Sequence, residues 1–239
     1  MEKTMTTGRL IITGGTSGIG LATVEFFKQK EWDVINVSRG LCPVNGVLNI
    51  QVDLSQKDIE IVLKSELSAL LNSSDVTILV HNAANLRKDS LDTVDSINFR
   101  DILAVGVIAP SLLNQIILPH MAAGSAIIYL GSTLSEKAVA GAFSYVVSKH
   151  ATVGLMRATC QDLGDRQIHT ACICPGFTDT PMLMNHLNHD QSIVQAIKGM
   201  NAQNRLIQPQ EIAEVIYFAA THPVVNGALI HANLGQLER

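Results

Sequence analysis

Thr13-Gly14-Gly15-Thr16-Ser17-Gly18-Ile19-Gly20 is the stretch whose reading decides the fold. Before it runs Leu10-Ile11-Ile12, which reads as part of a short buried strand from Arg9 to Thr13. After it, from about Ile19 to Lys30, the apolar positions include Ala22, Val24, Phe26 and Phe27, which suits an amphipathic helix. Strand, glycine loop and helix in that order aim backbone N–H groups and a helix N-terminus at a phosphate. The glycines let the backbone approach the ligand and let the helix pack close to the strand. The spacing is G-x-x-x-G-x-G. A tight turn alone would look the same, so the reading depends on the surrounding chain.

That chain repeats the alternation. Further strands are expected at 33–37, 47–52, 76–80, 126–130, 168–174 and 228–231, and each is apolar enough to be buried on both faces. Between them lie helical patterns at 55–71, 93–105, 107–120, 142–163 and 209–220, with Ser55 read as an N-cap and Gly164 as a stop. Residues 179–208 read as a mobile helical segment. The pattern predicts an α/β fold, a doubly wound parallel sheet of seven strands (a Rossmann fold) in a single domain over 1–239. Residues 1–8 form a short N-terminal extension. In such sheets ligands lie beyond the C-terminal ends of the strands. Gly14, Arg39, Asp53, Asn82, Ser132 and Gly176 all fall at or just after a strand end.

Composition narrows the function. Of 239 residues 47% are hydrophobic and 16% charged, which argues for a buried core and against disorder. The net charge of −4, without a basic run, offers nothing to nucleic acid or an anionic membrane. No uninterrupted apolar run reaches the ~18 residues of a membrane span, and residues 1–8 have no signal-peptide core. Cys42, Cys160, Cys172 and Cys174 are scattered and show no metal-ligand spacing, either among themselves or with the eight histidines. Free thiols and a cytoplasmic location are expected, with no metal.

Tyr145 and Lys149 stand four apart in the helix expected at 142–163, so they share a face. An ammonium beside a phenol favours the phenolate and tunes the tyrosine towards proton transfer at neutral pH. Ser132 lies thirteen residues before the tyrosine. Such a pair also occurs on many solvated helices, and its position at the mouth of the sheet gives it meaning.

With T-G-G-T-S-G-I-G at 13–20, D-L at 53–54, N-A-A at 82–84, the Ser132, Tyr145, Lys149 set and P-G-F-T-D-T-P at 175–181, the chain resembles the short-chain dehydrogenases/reductases. The resemblance runs from about Arg9 to Gln236 and points to the short, single-domain branch. It implies that Gly14, Gly18, Ile19 and Gly20 hold a dinucleotide pyrophosphate, with Thr16 and Ser17 of the same loop also touching the cofactor. Asp53 and Leu54 would meet the adenine, and Asn82 and Ala83 the adenosine ribose. Pro175, Thr178 and Thr180 would border the nicotinamide. Lys149 would bind the nicotinamide ribose, Tyr145 would protonate the substrate oxygen, and Ser132 would donate a hydrogen bond to it. The expected activity is hydride transfer between a nicotinamide cofactor and a small carbonyl or secondary alcohol. The alternative is a cofactor-binding regulatory or scaffold protein without turnover.

At the tip of the second strand stand Ser38 and Arg39, both expected to contact the cofactor, where an acid would favour NAD(H). A guanidinium suits a 2′-phosphate, so NADP(H) is expected over NAD(H). Two positions depart from the family pattern: Ala84, where glycine is usual, and Gly106, where many members carry an asparagine beside the catalytic set. A modified or slower proton relay is the expected consequence. A substrate lid is expected at about 181–205, and by resemblance the protein would be a homotetramer or homodimer.

Overall fold

The computed structural model describes residues 8–71 and 75–237. The extension expected at 1–8 therefore lies outside the described residues, apart from Gly8. The strands are β1 (Arg9–Thr13), β2 (Asp33–Ser38), β3 (Val47–Gln51), β4 (Thr77–His81), β5 (Ala126–Leu130), β6 (His169–Pro175) and β7 (Ala228–Ala232). They form one parallel sheet in the order β3-β2-β1-β4-β5-β6-β7. The order reverses between β1 and β4, so a crevice opens where those two strands end.

Two apolar layers sandwich the sheet. On one face α2 (Ile59–Ser68), α4 (Ala109–Ile117) and α5 (Phe143–Leu163) cover Ile11, Leu79, Ile127 and Tyr129. On the other, α1 (Gly18–Gln29) and α8 (Pro209–Thr221) cover Leu10, Ile12, Val80 and Ile128. Phe27 meets Trp32 and Tyr217 edge to face, with ring centroids 5.3 and 5.2 Å apart. Each such pair is worth roughly 0.5–1.5 kcal/mol beyond its burial.

Two helical expectations need correction, and a third gains detail. Ser55 does not cap α2. Its N–H and hydroxyl both donate to Asp53 Oδ1, and α2 starts four residues later with Asp58 at the N-cap. An aspartate two residues past a strand end satisfies the turn itself, which delays the helix. The two helices expected at 93–105 and 107–120 are one continuous helical run. It consists of α3 (Ser96–Leu103), a π-helical turn Ala104–Ile108 centred on Gly106, α4 and a 3₁₀ turn Leu118–His120. The glycine widens the helix and does not break it. This run, Ser96–His120, is also long and apolar enough by composition to cross a membrane, with mean hydropathy 1.9. Reading uninterrupted runs missed it because polar residues punctuate it. Here it lies on the sheet, with Ile102, Val105, Leu113 and Ile117 buried. Finally, 179–208 holds two defined helices, α6 (Pro181–His186) and α7 (Gln191–Lys198). Their contact residues Leu183, Val194 and Ile197 cluster with Leu206.

Candidate active site

The crevice between β1 and β4 is laced by side-chain bonds. Thr13 Oγ1 accepts from the N–H groups of Asn82 and Ala83, each at 3.0 Å. Asn82 Nδ2 donates to the carbonyls of Thr13 and Gly14, each at 3.0 Å. Asn82 thus ties the end of β4 to the glycine loop. From the other side Asn36, fully buried on β2, accepts from Gly15 N–H at 2.9 Å and donates to Asn49 Oδ1 and Ser38 Oγ. Sequence reasoning missed Asn36. The signal was a polar residue within an otherwise apolar strand.

The glycines of this loop are required by space. A Cβ on Gly20 would lie 2.1 Å from the Gly14 carbonyl oxygen. Gly14 and Gly18 have φ of +72° and +54°, which side-chain-bearing residues avoid. Ser17 at the N-cap makes no side-chain capping bond, so it leaves the first N–H groups of α1 available to an anion. The cradle therefore fits a dinucleotide's pyrophosphate. Thr180, which caps α6 by accepting from Leu183 N–H, stands across from it, 3.0 Å from where a Gly18 Cβ would be. Thr16 lies beside Gly40.

At the far end of the crevice the Ser38 hydroxyl donates to the Gly40 carbonyl at 2.7 Å and is buried. Its proton holds the turn, whereas the sequence leads to the expectation that the residue contacts the cofactor. Arg39 is exposed, and its backbone carbonyl is held by Gln51 Nε2. Its guanidinium is close enough to help hold the Asp53 carboxyl below the usual range, after the dominant backbone bond from Ser55. Asp53 and Leu54 border this end, Leu54 as part of the core.

The other end carries the catalytic candidates. Lys149, only 6% exposed, donates from Nζ to the Leu130 carbonyl at 2.6 Å. The same ammonium lies 5.5 Å from the centre of the Tyr145 ring. Ser132 follows β5 after Gly131 and opens a 3₁₀ turn, Thr133–Ser135. Its Oγ accepts from Leu134 N–H, and Ser135 Oγ accepts from Ser132 N–H. The Ser132 hydroxyl keeps its own proton to donate, and its backbone is fixed. Beneath it Gly131 is enclosed by Cys174, Ser135 and Cys172, where a Cβ would lie 2.7–2.9 Å from each side-chain tip. All four cysteines are free. The Cys172 and Cys174 thiols share a hydrogen bond that holds Cys174 down and, together with burial, pushes Cys172 up.

Pro175 ends β6, and the Thr178 hydroxyl donates to the Gly176 carbonyl at 3.1 Å. Helix α6 then places His186 near Lys88. Burial, aided by that ammonium, lowers the imidazole's basicity. Gly106 meets Ser148: a Cβ there would lie 2.2 Å from Ser148 Oγ. The place where an asparagine side chain would start is thus already filled by a serine hydroxyl.

The match to known proteins covers the same ground. A family model described as enoyl-(acyl carrier protein) reductase matches residues 14–236. The chain belongs to the short-chain dehydrogenase/reductase family. It is an oxidoreductase of C=O and CH–OH groups. Carbonyl reductase family member 4 of Xenopus tropicalis is 26% identical, over 92% of this chain and 93% of its own. A short-chain dehydrogenase family protein of Francisella tularensis superposes with a TM-score of 0.86 at 26% identity, covering 95% and 97%. L-sorbose reductase of Gluconobacter frateurii, solved with NADPH and L-sorbose, shares the fold with a TM-score of 0.86 at 21% identity over both whole chains.

Proposed function

We propose that this short-chain dehydrogenase/reductase uses NADP(H) to interconvert a small carbonyl compound and its secondary alcohol, with Tyr145 as general acid and base. The observation that carries the reading is Lys149: buried, anchored on Leu130 and held against the Tyr145 ring. A cation so placed offsets the negative charge that develops on the phenol oxygen as its proton leaves.

The bound nicotinamide would supply or accept hydride at the substrate carbon. Tyr145 Oη would give the proton to the substrate oxygen in reduction and take it back in oxidation. The Ser132 hydroxyl would donate to the same oxygen as negative charge builds there. Lys149 would meet the nicotinamide ribose, Thr178 and Thr180 the nicotinamide side, and Asp53 the adenine. Arg39, with no acid beside it in the turn, would take the 2′-phosphate. Helices α6 and α7 would form the lid. A dimer or tetramer in the cytoplasm accords with free thiols and with Ile108 and Val147 exposed on the π-turn and α5.

The cofactor preference is tested by steady-state kinetics with both reduced cofactors. KM for NADPH should be at least about tenfold below that for NADH, and Arg39→Ala should remove most of the difference, since a charge-assisted contact is worth roughly 1.5–3 kcal/mol. A lower KM for NADH would overturn the preference.

A further inference from the structure

Helix α5 starts in an unusual way. Its N-cap residue, Ala142, has no side-chain oxygen and makes no capping bond. The first N–H groups of a helix need acceptors from outside it. Here Asp89, in the loop after β4 and 55 positions before Ser144, supplies them. Its Oδ1 accepts from Ser144 N–H at 3.0 Å, and its Oδ2 accepts from the Ser144 hydroxyl. Its backbone carbonyl accepts from Phe143 N–H, and its own N–H donates to the Gly141 carbonyl, both at 3.2 Å. Asp89 and Ala142 pair as an isolated parallel bridge. A carboxylate at this spot also faces the positive end of a 21-residue α-helix.

Ser144 is fully buried and directly precedes Tyr145. Tyr145 therefore emerges from a first turn that is pinned by Asp89, while Lys149 one turn on is pinned by Leu130. Helix ends fray first, and this end has only the remote cap to hold it. We propose that Asp89 is a positioning residue for Tyr145: acting through Ser144, it fixes where the phenol stands relative to the bound substrate oxygen. This rests on the reading of Tyr145 as the proton donor. Because a misplacement of about 1 Å costs on the order of a hundredfold in rate, such a clamp acts on kcat more than on binding.

The test compares wild type with Asp89→Ala, Asp89→Asn, Ser144→Ala and Tyr145→Phe. It measures kcat, KM, NADPH affinity by fluorescence, and amide hydrogen exchange over 143–147. Asp89→Ala should lower kcat by about 30- to 100-fold and leave NADPH affinity within about twofold. It should also speed exchange in the first turn of α5. Asparagine caps nearly as well as aspartate, so Asp89→Asn should stay within about fivefold of wild type. If Asp89→Ala fails to fold, Ser144→Ala decides, with an expected loss of about three- to tenfold in kcat. Unchanged kcat in the folded variants, or a parallel loss of cofactor affinity, would overturn the proposal. If Tyr145→Phe itself kept full turnover, the underlying reading would fall instead.

Discussion

At the scale of single residues the buried imidazole of His81 has the clearest consequence. It ends β4, next to Asn82, and bonds Asn114 Oδ1 through Nε2 at 2.7 Å. Asn114 Nδ2 donates to the Tyr129 hydroxyl, which meets Thr159. Because the Asn114 amide N–H donates to Tyr129 and its oxygen faces the ring, Nε2 carries the proton and Nδ1 is a lone pair, buried without a partner among the described residues. Burial pushes the His81 pKa down to about 4, with the Asn114 bond opposing only in part. The unfolded chain takes up this proton near pH ~6.5, so between that pH and about 4 it binds more protons than the fold does. Stability must therefore fall as the solution is acidified through this window. Between about pH 7 and pH 5 the His81 contribution is about 2 kcal/mol. Urea unfolding of wild type and His81→Gln at the two pH values checks this: the wild type should lose about 2 kcal/mol more than the variant. Equal losses would contradict it. His169 and His186 are shifted in the same direction and remain in both proteins, and Glu211, held down to about 2 by Arg205, matters only at lower pH.

At the scale of elements, the helical run over β4 and β5 is where sequence and structure diverge most. A glycine in the middle of an apolar stretch reads as a break between two helices, because it weakens an isolated helix. Packing against the sheet and against α5 supplies the missing stability, and the residue is taken up in a π turn. The strands, by contrast, were legible almost to the residue, since each is a short apolar run closed by turn residues. The glycine loop, Ser132 and the Tyr145–Lys149 spacing were legible too, because local geometry fixes them. Asp89 and Asn36 were not: their partners lie 55 and 21 positions away, and no local pattern links them. The Ser38 hydroxyl misled because a strand-tip serine looks the same whether it faces a ligand or its own turn.

The π turn also changes the meaning of Gly106. The sequence presents it as a missing asparagine, but a side chain there meets Ser148 Oγ at 2.2 Å while Ser148 Cβ stays 3.6 Å away. Gly106→Asn should therefore cost about 1–3 kcal/mol by overpacking. Ser148→Ala in the same chain should recover most of that cost, with a coupling of at least about 1 kcal/mol. A denaturant double-mutant cycle measures it, and additive effects would mean that the serine simply turns aside.

At the scale of the whole molecule, the parallel sheet reverses its order between β1 and β4, and the elements that converge there divide the work. The glycine loop and α1 present N–H groups and glycine-sized space. Asn82 and Asn36 brace that loop from two sides. Helix α5 carries Tyr145 and Lys149 to the other end, and the turn after β5 brings Ser132. In the proposed mechanism these parts would form one machine in which cofactor binding and proton transfer are separable. The most direct test is oxidation of NADPH with a panel of small ketones and aldehydes, for wild type and Tyr145→Phe, alongside NADPH binding by fluorescence. The wild type should turn over at least one carbonyl. Tyr145→Phe should bind NADPH within about twofold of wild type and lose on the order of 10²–10⁴ in kcat. Wild-type binding without turnover across the panel, or full turnover without the tyrosine hydroxyl, would contradict the account.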